Sequence, residues 1–273
     1  MNSIEDLRQL GCNPAFIAGI HNYCDRWCER CPMTAHCSVH AMEAADADVL
    51  GTVQPKAFWE QLSRSFETTA ALLHELAQEA GIDLTAITDT AGSEDEFAAA
   101  DDHILVGSAR HYAHGVGDWF ALWESRLYGA MASLDKEKHA HLQVVDPSPT
   151  PIGNPERMEI ILRYHSLIPA KIHRAVMGAA DEFEADADDF PRDADGSAKV
   201  ALIAIDRSKA AWTGLIEAAP EARADILAFL GQLERLGRAT EWTFPRARAF
   251  VRPGFDDLPP VVAPPGVQDT SAQ

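Results

Sequence analysis

Strand-like alternation is almost missing from this chain. Val, Ile and Thr seldom alternate with polar residues while alanine is abundant, a balance that argues against sheets and for helices. Long apolar runs are also missing: the longest is far too short to cross a bilayer, so no membrane span is expected. Basic residues are scarce. Against 42 Asp and Glu stand 23 Lys and Arg, and the resulting net charge of −19 repels phosphate backbones and speaks against nucleic acid as a partner. The opening residues, MNSIEDLRQLGCNPAFIAGI, lack the charged-then-apolar-then-small order of a secretory signal. A cytoplasmic setting is therefore expected, where thiols stay reduced unless they bind metal or do redox work. The motifs of several common chemistries are absent: there is no glycine-rich phosphate loop, G-x-S-x-G elbow or H-E-x-x-H pair.

What the 273 residues do contain is helix punctuation. Ser3 and Asp6 cap a first short helix ending near Gly11, and Asn13-Pro14 reads as the start of a helix running to about Cys31, where Pro32 stops it. Short helix is expected over 34–47. Pro55 opens a helix to Gly81 with a stripe of Phe58, Leu62, Phe66, Leu73 and Leu76. A capping box of Ser93 and Glu96 begins the longest helix, to about Leu134, whose core stripe is Phe97, Leu105, Tyr112, Trp119, Trp123 and Leu127; Gly115-Val116-Gly117 is expected to kink or break it. Asn154-Pro155 starts another, with Met158, Ile161, Leu162, His165, Ile168 and Ile172 facing inward and a kink at Pro169. Two last helices are expected over 197–218 and 220–237.

These signals predict an all-α fold, a bundle of six to eight helices. Its expected parts are a small cysteine-rich lobe over 1–50, the bundle over 51–245 with an acidic, solvated insert at 181–196, and an extended, partly disordered, proline-rich tail over 246–273.

Four of the five cysteines fall within fifteen residues, YCDRWCERCPMTAHC, as C-x3-C-x2-C-x5-C: Cys24, Cys28, Cys31 and Cys37. On a helix, 24, 28 and 31 share one face, with Pro32 turning the chain so that Cys37 returns as a fourth ligand. Three readings compete. Buried thiols or a labile disulfide knot are one. Structural zinc is the second; it needs four sulfurs drawn within roughly 4 Å of one another, and His40 could replace one cysteine. The third is a [4Fe–4S] cluster, whose larger cubane suits a widely spaced helical trio and a returning fourth thiolate.

The stretch Cys28-Glu29-Arg30-Cys31-Pro32-Met33-Thr34-Ala35-His36-Cys37 resembles the C-x2-C-P-x4-C end of the cluster loop in helix-hairpin-helix DNA glycosylases, and the C-x2-C-x5-C of iron–sulfur RecB-type nucleases. The resemblance implies [4Fe–4S] ligation by Cys24, Cys28, Cys31 and Cys37. It covers about fourteen residues and extends no further: the first gap is three residues where the glycosylases have six, and neither family's catalytic residues are found. The C-x3-C-x2-C opening also matches the radical-SAM motif, but no α/β-barrel pattern follows, and Arg30 stands where that family prefers an aromatic.

Outside the cysteines, His111, His114 and Asp118 lie at i, i+3 and i+7, with His103 two turns earlier, a spacing that bundle proteins use to hold metal. Glu159 and His165 could add ligands from across the bundle. The arc lies off the Tyr112/Trp119/Trp123 stripe, however, at the core's edge or in solvent, and no Glu-x-x-His pair accompanies it, so a solvated face is the favoured reading. Arg235, Arg238, Arg246, Arg248 and Arg252 form a basic island that is expected to pin the C-terminal arm to the chain's own acidic surface. The leading functional expectation is an iron–sulfur protein with a redox, sensory or structural cluster. The alternatives are a non-catalytic helical module that binds a partner protein through a zinc-stabilised lobe, and a metalloenzyme using the His/Asp site.

Overall fold

The computed structural model describes residues 4–50, 55–84, 98–139, 154–180 and 193–257. It is an all-α helical bundle, and no strand occurs among the described residues. The α-helices are α1 (Ile4–Gly11), α2 (Ser38–Leu50), α3 (Pro55–Ala80), α4 (Ile104–His139), α5 (Asn154–Ala180), α6 (Asp193–Leu215) and α7 (Arg223–Thr243). Among the described residues, no helix is long and apolar enough to cross a membrane. Two compact units divide the chain: the first comprises Met1–Asn22, Arg26–Leu76 and Val251–Gln273, the second Tyr23–Asp25 and Ala77–Phe250.

The second unit is built on α5 and α6, with α4 and α7 packed against them. On α5 the buried apolar residues are Met158, Ile161, Tyr164, Ile168, Ile172 and Ala175, a helical recurrence that puts one face inward. This corrects the predicted stripe. Tyr164 takes the inward position, while Leu162 is exposed and His165 only half-buried, its Nδ1 2.6 Å from the Leu162 carbonyl. The helix continues through Pro169 without interruption.

An aromatic block fills the space between α4, α6 and α7. Trp119, Trp212 and Phe229 meet one another, with Trp119–Trp212 edge-to-face at 5.0 Å and Trp212–Phe229 stacked at 4.9 Å. Trp212 Nε1 donates to the Tyr112 hydroxyl at 3.1 Å, which satisfies two polar atoms inside an apolar core. Burial pushes the Tyr112 hydroxyl up to about 12, with the Trp212 contact opposing part of that rise.

Three predicted features of the bundle differ from what is observed. The Ser93/Glu96 capping box lies outside the described residues, and the helical residues 98–101 are separated from α4 by a turn at Asp102-His103. There, the Leu105 amide donates to His103 Nδ1 at 3.2 Å, so His103 caps α4 instead of lying on its face. Second, α4 is unbroken at Gly115-Val116-Gly117. Gly115 serves packing: a Cβ there would stand 3.3 Å from Phe229 Cε1, so its absence lets α7 approach. Third, α6 begins at Asp193, four residues before the predicted start, because Asp193 and Asp195 bring negative charge to the first turn. Those residues are anchored. Arg174 grips Asp193 through two contacts of 2.8 Å, and the buried Asp195 carboxylate pairs with Arg246 at 3.1 Å. The predicted solvated run therefore stops short of them; 181–192 lie outside the described residues.

The C-terminal stretch is held to α6 through Arg248, which reaches Asp206 at 2.6 Å and Glu241 of α7 at 2.8 Å. Phe244, Ala247 and Phe250 are buried beside a 3-10 turn over Ala247–Ala249. Residues 258–273 of the predicted tail lie outside the described residues.

The first unit has a much smaller core. Ile20, Trp27 and Met33 are its most buried side chains toward the N-terminus. Gly254, at φ +75°, closes that core from the C-terminal segment, since a Cβ would lie 2.8 Å from the terminal carbons of both Ile17 and Ile20. Arg8 of α1 meets Glu75 of α3 at 3.3 Å. Three members of the predicted stripe on α3 are exposed, Phe66 at 68%, Leu73 at 57% and Leu76 at 43%.

Candidate metal centre

Residues 13–31 do not form the predicted α-helix, and 34–37 precede α2 instead of opening it. The chain runs through 3-10 turns at Ile20–Tyr23, Cys28–Arg30 and Thr34–His36, separated by irregular backbone. Asn13 and Gly19 mark where the chain turns instead. The Asn13 side chain accepts from the Ala15 amide in a local turn, and Gly19 takes φ +70°. Arg26 also sits in the left-handed region, at φ +57°, a conformation that costs a non-glycine residue roughly 1–2 kcal/mol. The argument that Cys24, Cys28 and Cys31 share a helix face therefore falls with the helix.

All four cysteines are reduced and half-buried. Two receive backbone donors: the Met33 amide lies 3.4 Å from Cys31 Sγ, and the His40 amide 3.5 Å from Cys37 Sγ. His40 thus takes part through its backbone in this structure. His36 buttresses the same loop, its ring Nδ1 2.9 Å from the Ala15 carbonyl and its own carbonyl accepting from the Ile17 amide at 3.0 Å. Arg30 lies over the Trp27 ring at 4.3 Å, fixing the turn between Cys28 and Cys31. Cys28, Cys31 and Cys37 belong to the first unit, and Cys24 to the three-residue stretch that groups with the second. Among the described residues, no three His, Cys, Asp or Glu side chains are gathered closely enough to hold one ion.

Cys24 is flanked by two anchors that local sequence could not disclose. Tyr23 packs its ring on Phe250 at 4.8 Å, in a slot that exists because Gly196 has no side chain: a Cβ would stand 2.6 Å from Tyr23 Cδ1 and 2.7 Å from Phe250 Cζ. Asp25 accepts from the Tyr164 hydroxyl at 2.8 Å and pairs with Arg207 at 2.7 Å, while Arg163 donates to its carbonyl at 3.4 Å. Burial pushes Tyr164 up to about 12, with Arg207 opposing and Asp25 reinforcing the shift. For Arg207, burial works against the charge, but Tyr164 and Asp25 outweigh it and raise its affinity for the proton. These partners stand 139 and 182 residues from Asp25 in sequence, so only the bundle's packing brings them together.

The other predicted ligands stay apart from any such arrangement. His111, His114 and Asp118 lie on α4 and are exposed, and His103 is occupied as the helix cap. His165 bonds its own helix. No protein-family profile, curated protein or solved structure matches this chain.

Proposed function

We propose that Cys24, Cys28, Cys31 and Cys37 hold a [4Fe–4S] cluster, making this an iron–sulfur protein. The observation that carries the reading is the donor set itself. Four of five cysteines lie on one fifteen-residue loop, all reduced, in the order C-x3-C-x2-C-P-x4-C. Loop form supports it as well. Short 3-10 turns can re-aim their side chains without unwinding a regular helix, so gathering the thiolates does not require breaking an α-helical hydrogen-bond ladder. The strained backbone at Arg26 lies between the first two cysteines, and residues held in this region concentrate at functional sites. Amide donors on Cys31 and Cys37 supply the hydrogen bonds to sulfur that stabilise a cluster's thiolates and tune its potential. A bound cluster would supply one-electron chemistry. The chain's own part is to hold the loop, through Tyr23 and Asp25, which flank Cys24, and through the buried Ile20, Trp27 and Met33.

Elemental analysis of anaerobically purified protein tests the reading directly. The expected product is brown and contains about four irons with matching acid-labile sulfide. Cys31→Ser should lower the iron content and bleach the colour, whereas Cys12→Ser should change neither. A colourless protein carrying one zinc per chain would reject the cluster and favour a structural zinc lobe.

A further inference from the structure

A cleft of about 620 Å³ opens in the second unit between the start of α4 and the outer face of α7. Its size lies within the range of small-molecule sites. Its walls are apolar, from Leu105 on one side and Leu236 and Ala239 on the other. Set among them are four polar side chains, the exposed Arg235, Asp102 and His111 and the half-buried Gln232, that keep their hydrogen-bonding capacity for a ligand. Arg235 has no carboxylate partner among the described residues, although Arg238, Arg246, Arg248 and Arg252 each have one. Asp102 has no cation among the described residues, although its neighbour Asp101 is held by Arg110. His111 makes no side-chain hydrogen bond with a described residue, and the Gln232 carbonyl oxygen is buried without a donor. Asp102 and Arg235 line the same cleft and do not pair with each other.

We infer that this cleft binds an apolar α-amino acid. Arg235 and His111 are donors for its carboxylate; Asp102 and the Gln232 oxygen are acceptors for its ammonium group; Leu105, Leu236 and Ala239 form the surface for its side chain. A ligand carrying both charges satisfies an unpaired acid and an unpaired base at once. A simple anion would leave the Asp102 carboxylate facing it, and a simple amine would leave Arg235 and His111 unused. The geometry needs no metal and is independent of the cysteine loop.

Calorimetric titration of the full chain, as purified, with L-leucine and L-phenylalanine tests this. Saturable binding of at least one is expected. Phenylalaninamide, which lacks the carboxylate, and N-acetylphenylalanine, which lacks the ammonium group, should each bind at least about tenfold more weakly than phenylalanine. Arg235→Gln and Asp102→Asn, both at exposed positions and hence compatible with folding, should each weaken binding by about tenfold. Ala239→Trp, which fills the cleft from an exposed position, should abolish it. Absence of binding by both amino acids overturns the inference, as does binding that the blocked ligands share or that these three variants leave unchanged.

Discussion

Replacing Gly196 by alanine tests the claim that a missing side chain seats the tyrosine beside Cys24. Two effects oppose each other. In an α-helix, Gly→Ala is worth about 1 kcal/mol in favour of alanine. Against that, the new Cβ would lie 2.6 Å from Tyr23 Cδ1 and 2.7 Å from Phe250 Cζ, with Tyr23 Cε1 closer still. Carbon atoms settle at about 3.5–4.0 Å, so both rings must retreat by roughly 1 Å. Neither ring is the free end of a flexible chain: Phe250 is buried, and Tyr23 packs against it at 4.8 Å. Overpacking of this kind costs about 1–3 kcal/mol, and two displaced rings put it at the upper end, near about 3 kcal/mol. The net expectation is a destabilisation of about 2 kcal/mol, read by urea unfolding with unchanged slope, or as a fall in Tm of about 4–8 °C. Gly117→Ala provides the internal control. Gly117 is exposed on α4 with nothing within 4 Å of its would-be Cβ, so alanine there should stabilise by about 0.5–1 kcal/mol. Should Gly196→Ala stabilise as Gly117→Ala does, the tyrosine slot is not a feature of the folded protein.

The wholly buried Tyr112 hydroxyl is raised from 10.0 to about 12, so its neutral form contributes stability that is fully present below pH about 10 and lost as pH climbs through about 12; at about 1.4 kcal/mol per unit this amounts to about 3 kcal/mol. Tyr112→Phe should accordingly lose about that much less stability than wild type between pH 9 and pH 12, and identical alkaline unfolding curves would count against the assignment. Asp25→Asn removes the charge that Arg207 faces while keeping a group for Tyr164; with Arg207 half in solvent, a loss of about 1 kcal/mol is expected, and it should shrink in 1 M salt. Gly254→Ala places a Cβ against Ile17 and Ile20 at a positive φ, so hydrogen exchange of amides 17–20 should quicken while amides of α5 keep their protection.

Helices, their approximate limits and much of the bundle core could be read from periodicity, because α4 and α5 repeat apolar residues at the spacing that one buried face demands. Leu105, Tyr112 and Trp119 were placed inward by that pattern and are buried. The same pattern misled on α3, where Phe66 and Leu73 keep helical spacing yet remain exposed. Periodicity reports that a face is apolar and is silent on whether anything covers it. Start and stop signals misled over 13–31, where no α-helix forms because Asn13, Gly19 and Arg26 take turn conformations.

By itself, the order of residues determined that this chain is helical, acidic and equipped with four closely spaced thiols, since propensity, charge and cysteine spacing are local properties. Only the tertiary structure decided that Asp25 meets Tyr164 and Arg207, that Gly196 makes room for Tyr23, and that Asp102 and Arg235 share a cleft without pairing. Each of those relations joins residues far apart along the chain, and their distance is set by how whole helices pack, a quantity that no short window of sequence contains.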